Sequence, residues 1–352
     1  MRTMMLVSKE KQLFKEIDAT KVSLGQFQTR EALWLTPQVE AFIKAKHPSV
    51  IYDPFAGHGS LLATARERFG LDTRGLDIDP TLGWPCNDSL SSIPPIPNAV
   101  IVTNPPYLAK HSAKRKRVHD SVAQHFTQRS DLYQLALDRC KEACPFIVAI
   151  VPETIINSSY PKYHFESITI LEGNPFDDTD CPVCVVCIDS SVCAFDRSPQ
   201  VFLGSMSIGR LCDLEAKRLR PHHSVEIDFN VPSGRIALRA VDLPNPLKPI
   251  KFMHRAQLDY PADRIKVSSR LVTFIEIPTL TAERIDDVII KANGLLEQYR
   301  AETADALLSP FKGNTKHGRR RRRLDYATAR AILEQACGNE ELELPLFAEP
   351  PL

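Results

Sequence analysis

The 352-residue sequence has no apolar run approaching the roughly 18 residues that a membrane span requires. Its first ten residues, Met1 to Glu10, lack the apolar stretch of a secretory leader. The expectation is a cytoplasmic protein with no membrane partner. Neither sign of charge is in excess: 44 Lys and Arg stand against 43 Asp and Glu, a net charge of +1. That balance excludes no nucleic-acid role, because phosphate recognition needs basic charge concentrated locally rather than overall. Internal repeats are also lacking. A hydrophobic content of 43% is enough for a sizeable core and excludes wholesale disorder. The length fits one large or two moderate domains.

Nine cysteines, an odd number in a long chain, read as reduced thiols. Cys181, Cys184 and Cys187 form a C-x2-C-x2-C group, which raises the possibility of a metal. A tetrahedral site needs four ligands, and no partner pair stands nearby at the usual spacing. The stretch P-V-C-V-V-C-I at 182–188 reads instead as a buried strand with cysteine as a small apolar residue. No metal is expected.

Between residues 50 and 191, short apolar runs alternate with helical stretches, the pattern of a mostly parallel α/β sheet. Strands are expected at 50–53, 73–77, 99–103, 145–151, 168–171 and 183–188. Helices are expected at 61–69, closed by Gly70, and at 131–143, where Leu132, Leu135, Ala136 and Cys140 share a face. After about 191, prolines and isolated basic residues increase. A loop or linker is expected at 243–249, and one long strand or a bent pair at 265–277. Thr281 is placed to cap a helix reaching about 308, with Ile285, Val288, Ile289, Ala292, Leu295 and Leu296 inward and Pro310 ending it. A last helix at 326–337 precedes a loose tail. The expected division is 1–195, 196–337 and a tail at 338–352.

Chemistry concentrates in the first half. Asp53-Pro54-Phe55-Ala56-Gly57-His58-Gly59-Ser60 leaves an apolar strand, turns on two glycines and enters a helix. Such a turn lets the backbone approach a ligand at a strand's carboxyl end. A dinucleotide fingerprint needs a third glycine where this chain has Leu62, and Asp53 at the strand end would repel a pyrophosphate. Asp53 suits a cationic, phosphate-free ligand such as S-adenosylmethionine, with its ammonium and sulfonium. Next comes Gly75-Leu76-Asp77-Ile78-Asp79, where Asp77 can accept both ribose hydroxyls of an adenosine. Asp79 reads as a turn or helix cap. Asp88 could accept from the ligand's adenine amine, or simply close a surface turn.

The fourth piece is the strand 99–103 ending in Asn104-Pro105-Pro106-Tyr107. Two prolines fix the backbone and remove two donors. The Asn104 side-chain oxygen and the Pro105 carbonyl can together hold an amine bearing two N–H groups. Tyr107 supplies a ring on which a planar base can stack. Two basic runs complete the inventory: Lys110, Lys114, Arg115, Lys116 and Arg117 follow the motif, and Arg319, Arg320, Arg321, Arg322 and Arg323 are consecutive. Both are expected to contact nucleic-acid phosphates.

These motifs resemble the amino-methyltransferases, and more closely the DNA adenine-N6 methyltransferases of restriction–modification systems and phages. The resemblance covers about residues 25–190. It extends upstream to Thr36-Pro37, similar to the family's helix start beside the methionine end of the cofactor. Downstream it takes in Val151-Pro152-Glu153-Thr154 and Glu172-Gly173-Asn174-Pro175-Phe176, where Phe176 matches an aromatic that stacks on the extruded base. The resemblance implies a Rossmann-like methyltransferase sheet with helices on both faces, followed by a C-terminal α+β target-recognition region. It implies S-adenosylmethionine as cofactor, held by Thr36, Pro37, Asp53, Phe55, Ala56, Gly57, Gly59, Asp77, Ile78, Asp88 and Asn104. Double-stranded DNA would be the partner, with a cognate restriction endonuclease acting on the same site. Methylation of RNA adenine or of a protein glutamine amide is the alternative within methyl transfer. A non-catalytic nucleic-acid-binding protein is the alternative outside it.

Overall fold

In the computed structural model of the chain, the described residues are 32–115, 123–126, 129–176, 179–192, 197–258, 271–311 and 320–338. They divide into two compact units, one of residues 1–213 and 312–320, the other of 214–311 and 321–352.

The first unit is built on strand β1 (Val50–Asp53), whose last three residues are buried. Gly59 in the left-handed conformation then opens helix α2 (Ser60–Phe69), and Gly70, also left-handed, closes it by donating to the Arg66 carbonyl. Strand β2 (Asp72–Gly75) pairs in parallel on one side of β1, and β3 (Ala99–Thr103) on the other. The order therefore reverses at β1, and the carboxyl end of a strand at such a reversal is where open α/β sheets bind ligands. Ahead of these strands lies helix α1 (Pro37–Ala45), with proline at its first turn, where the lost N–H costs nothing.

Beyond β3, helix α3 (Lys110–Arg115) and helix α4 (Leu132–Ala143) lead to β4 (Phe146–Pro152), parallel to β3. The expected face of α4 is buried, and Tyr133, Gln134 and Leu137 join it. β4 is an apolar run buried almost throughout, as a central strand with both faces covered should be. β5 (Phe165–Ile170) and β6 (Val183–Asp189) follow, with β6 lying antiparallel between β4 and β5. Cys184 and Cys187 are fully buried within β6, as apolar residues of a strand.

The sheet runs β2-β1-β3-β4-β6-β5-β7-β8, and the α/β expectation is met. Its last two strands follow residue 195, up to which the first domain was expected. β7 (Gln200–Leu203) pairs in parallel with β5, and β8 (Met206–Arg210) folds back on β7, so the sheet continues to Arg210.

The second unit is α+β. Its sheet is antiparallel throughout, ordered β11-β10-β12-β9 from β9 (Asp228–Phe229), β10 (Ile236–Arg239), β11 (Lys251–His254) and β12 (Val272–Glu276). Only 272–276 of the expected strand at 265–277 is β12; residues 265–270 lie outside the described residues. Helix α5 (Ile285–Thr303) packs on β11 and on helix α6 (Tyr326–Gly338). It follows a single 3-10 turn at Ala282–Arg284 and stops seven residues before Pro310. The stop is local: Ala304 and Asp305 take left-handed conformations, and the Asp305 N–H caps the Arg300 carbonyl. A two-stranded ribbon, β13 (Ser309–Pro310) and β14 (Arg322–Arg323), completes this unit.

Candidate active site

The site residues stand at neighbouring strand ends of the first unit. Asp53 closes β1 and is 1% exposed. Its Oδ1 accepts from the Phe55 amide at 3.0 Å and from the Thr103 hydroxyl at 2.7 Å. Burial pushes this carboxyl up to about 7, and Asp77 adds to the rise. An ionised Asp53 is costly to the folded chain until a cation faces it. Thr103 is the residue before Asn104, so one hydrogen bond links the strand of the glycine turn to the strand of N-P-P-Y.

The glycine turn is held from two sides. Asp77 lies two residues past β2, not at its end, and joins a short parallel bridge with Cys86. Its Oδ2 accepts from the Gly57 amide at 2.8 Å and its Oδ1 from the Asp79 amide at 2.9 Å. Asp79 caps its own turn, accepting from the Thr81 amide and hydroxyl. Trp84, a residue sequence reasoning missed, donates its indole N–H to the Gly57 carbonyl at 2.8 Å. A Cβ added at Gly59 would lie 2.8 Å from the Trp84 ring, and one at Gly75 only 2.7 Å from it. Gly59 and Gly75 thus make room for an indole; of the two, Gly59 was expected to let the backbone approach a ligand. The one signal available was a tryptophan isolated in a polar loop.

Ile78, beside Asp77, is 56% exposed. Asp88 serves its own turn: Oδ1 accepts from the Leu90 amide and Oδ2 from the Ser91 hydroxyl. Thr36 precedes Pro37 with extended backbone and does not cap its helix; its buried hydroxyl has no partner among the described residues. An orphaned buried hydroxyl, an exposed apolar side chain beside a ribose-type carboxylate and a buried carboxyl that favours a cation fit S-adenosylmethionine.

At N-P-P-Y, Asn104 is half-buried and both prolines are buried. The Tyr107 hydroxyl has two acceptors for its one proton, the Asn104 side-chain oxygen and, at 2.8 Å, the Ile150 carbonyl. Its ring meets Phe176 edge-on, with centroids 6.2 Å apart and planes at 67°, and Tyr133 at 6.4 Å and 90°. Tyr107 is 8% exposed and Phe176 4%. The structure brings the two aromatics together, but against each other; neither presents the open face a stacked base needs. Asp131, the N-cap residue of α4, was also missed. Its backbone bridges Ala109 just after the motif, and its buried Oδ1 has no partner among the described residues. Burial raises its carboxyl to about 7, against the amides of Tyr133, Leu108 and Leu132.

The basic runs fare differently. Lys110 is exposed at the start of α3. The side chains of Lys114 and Arg115, and all of Lys116, Arg117 and Arg319, lie outside the described residues. The remaining arginines, expected to contact phosphates, have protein partners or burial within the described residues. Arg320 pairs at 2.8 Å with Glu153, which is buried at the end of β4. Arg321 donates to the Asp242 carbonyl and lies 5.1 Å over the Phe311 ring. Arg322 is 1% exposed in the ribbon, with its amide bonded to Asp242, and Arg323 is half-buried. Packing has claimed these side chains, because a ribbon this short can be held only by what covers it.

No protein-family profile and no curated protein matches the chain. Solved structures do. The type I restriction-modification system methyltransferase subunit from Streptococcus thermophilus aligns at 17% identity and a TM-score of 0.36, over 50% of this chain and 47% of that one. A modification subunit attributed to a type I restriction enzyme of Vibrio vulnificus YJ016 aligns at 17% and 0.34, over 52% and 48%. TrmN from Thermus thermophilus aligns at 14% and 0.29, over 43% and 47%. The chain spans about half the length of the structures it matches. It is similar to these proteins at low identity. Alignments this partial carry no weight for fold or activity, which rest on strand order and site geometry.

Proposed function

We propose that this chain is an S-adenosylmethionine-dependent methyltransferase acting on a planar exocyclic amine. One observation carries the reading: the Thr103 hydroxyl joins Asp53, at the sheet's reversal point, to the strand end bearing Asn104. A cation-favouring carboxyl and an amine-holding amide thus sit on adjacent parallel strands. Within that class, the reading is transfer to N6 of an adenine flipped out of DNA. The half-buried Asn104 side chain, followed by two buried prolines at the strand end, supports an amine substrate with two N–H groups, and an α+β second unit is suited to target recognition.

Asp53, Asp77, Ile78 and Thr36 would hold the cofactor, which supplies an electrophilic methyl group on a sulfonium. N6 is unreachable inside a duplex, so the base must leave the stack. Tyr107 turns away from Asn104 to admit it, and the freed Asn104 oxygen, with the Pro105 carbonyl, accepts the two N6–H bonds. Those acceptors orient the amine lone pair and stabilise positive charge as it develops on N6. The product ammonium is acidic enough to lose its proton to water.

The test offers labelled S-adenosylmethionine together with genomic DNA, bulk RNA and protein extract. Label in DNA as N6-methyladenine supports the reading. Label confined to RNA or to protein glutamine would keep the class and overturn the substrate. Cofactor binding without any transfer would favour a non-catalytic nucleic-acid-binding protein.

A further inference from the structure

The loop after β2 leaves Asp77 and returns to it. The Asp77 amide donates to the Pro85 carbonyl at 3.3 Å, and the Asn87 amide donates to the Asp77 carbonyl at 2.9 Å. Within that closed excursion, Asp79 caps a 3-10 turn at Pro80–Leu82, and Gly83 reverses the chain in the left-handed region at φ 78°. The closure carries Trp84 back beneath the glycine turn. There its ring fills the space above both Gly59 and Gly75, and its N–H bonds the Gly57 carbonyl.

The Gly57 residue is therefore gripped at both polar groups by one loop. Its N–H goes to the Asp77 carboxylate and its carbonyl takes the Trp84 indole. Gly57 itself is left-handed at φ 53°, and no neighbour lies within 4 Å of where its Cβ would be. These two hydrogen bonds therefore fix both polar groups of a residue in the middle of the turn, which is tied further by the Ala56 amide to the Leu76 carbonyl and the Gly59 amide to the Ala56 carbonyl. Asp77 is the residue placed to receive the ribose, which means the same loop sets both the ligand's carboxylate and the turn facing it.

We infer that Trp84 is a positioning residue for the adenosyl cofactor. It fixes the Gly57–Gly59 turn through the Gly57 carbonyl, and because the Gly57 amide is held by Asp77, engagement of Asp77 should be felt at the indole. This rests on the methyltransferase reading above. A residue that only filled space would affect folding; a positioning residue affects cofactor affinity without affecting transfer once the site is full.

The experiment uses the full chain with S-adenosylhomocysteine as probe. Trp84→Phe keeps a ring and removes the N–H; Trp84→Ala removes both. Loss of one such hydrogen bond should raise the dissociation constant about tenfold for Trp84→Phe, and further for Trp84→Ala. The transfer rate at saturating cofactor should stay within about twofold, the uniform-binding pattern. Tryptophan emission should change on adding the probe to the wild type and not to Trp84→Phe, whose one remaining tryptophan is the buried Trp34. An unchanged dissociation constant or an emission change retained in Trp84→Phe would overturn the inference and leave the methyltransferase reading intact. A rate at saturation falling as far as affinity would also overturn it. A wild type that binds no probe overturns both, and Trp84→Phe remains informative if Trp84→Ala does not fold.

Discussion

Tyr107 donates its phenolic proton to the side-chain oxygen of Asn104, so the residue expected to stack a base instead closes the acceptor expected to hold it. A hydroxyl has one proton, and the Ile150 carbonyl competes for it at 2.8 Å. The bond to Asn104 is thus broken without leaving the phenol unsatisfied. Tyr107→Phe should free Asn104 permanently, lower stability by about 1 kcal/mol for the lost hydrogen bond, and keep or raise the single-turnover rate. Tyr107→Ala should lose the ring as well, at about 3–5 kcal/mol, and most of the activity. Denaturant unfolding and rapid-quench methylation separate the two. A Tyr107→Phe enzyme as dead as one lacking Asn104 would show that the hydroxyl has a chemical role.

Asp53 gives a pH signature with a definite sign. Its folded pKa is about 7, raised from 3.8 mainly by burial. The unfolded chain ionises first, so the favourable contribution of the neutral carboxyl is full below pH 4 and is lost as pH rises through 7. Asp53→Asn keeps an oxygen for the Phe55 amide and the Thr103 hydroxyl, since both bonds fall on Oδ1. Its stabilising effect on the unliganded protein should grow from about pH 4 and level off above about pH 7, reaching at most about 4 kcal/mol. Thermal unfolding from pH 4 to 9 checks this; a flat difference would contradict it. Cofactor affinity should fall in the same variant. In the wild type, cofactor binding near pH 6 should release a proton, visible in calorimetry as a dependence on buffer ionisation enthalpy.

The buried pair Glu153–Arg320 separates a structural arginine from a phosphate contact. Glu153→Ala strands a buried guanidinium and should cost about 3–5 kcal/mol, while the double variant Glu153→Leu with Arg320→Met should recover much of that loss. At salt concentrations where protein and DNA both remain intact, Arg320→Met should leave the salt dependence of DNA binding unchanged. A slope reduced by about one charge would return Arg320 to the phosphates.

Lys110 is the complementary case, exposed at the head of α3 immediately after the N-P-P-Y loop. Lys110→Ala should weaken binding alike for all DNA sequences and lower the salt slope by about one. A loss confined to one sequence, measured by competition with unrelated duplexes, would make it a base-reading residue.

The sequence carried the first unit well because its signals are local. Apolar runs of strand length, Gly70 after a helical stretch and Pro37 after Thr36 each act within a few residues. It put Asp53, Asp77 and Asn104 at strand ends for the same reason; Asp53 closes β1, Asn104 follows β3 by one residue, and Asp77 follows β2 by two. Trp84 escaped because its partners, Gly57, Gly59 and Gly75, lie 9 to 27 positions away and meet it only when the loop closes on Asp77. Asp131 escaped because its importance is an absence, an oxygen without a donor, which no pattern announces. The arginine run was read for phosphates because its surroundings are not local: Arg320 is paired with Glu153 and Arg322 is covered beside Asp242, both distant in sequence. Strands β7 and β8 extend the sheet past 195 because β5 leaves an edge for β7 to pair with, a consequence of strand order rather than composition.

The most direct test of the central claim is methylation of unmodified genomic DNA by the wild type and by Asn104→Ala, read by modified-base sequencing alongside calorimetry with S-adenosylhomocysteine. The account predicts N6-methyladenine within one short motif for the wild type. Asn104→Ala should lose the mark, by on the order of a hundredfold or more in rate, while binding the probe nearly as well. Transfer retained by Asn104→Ala, or equal loss of probe binding and transfer, would contradict it.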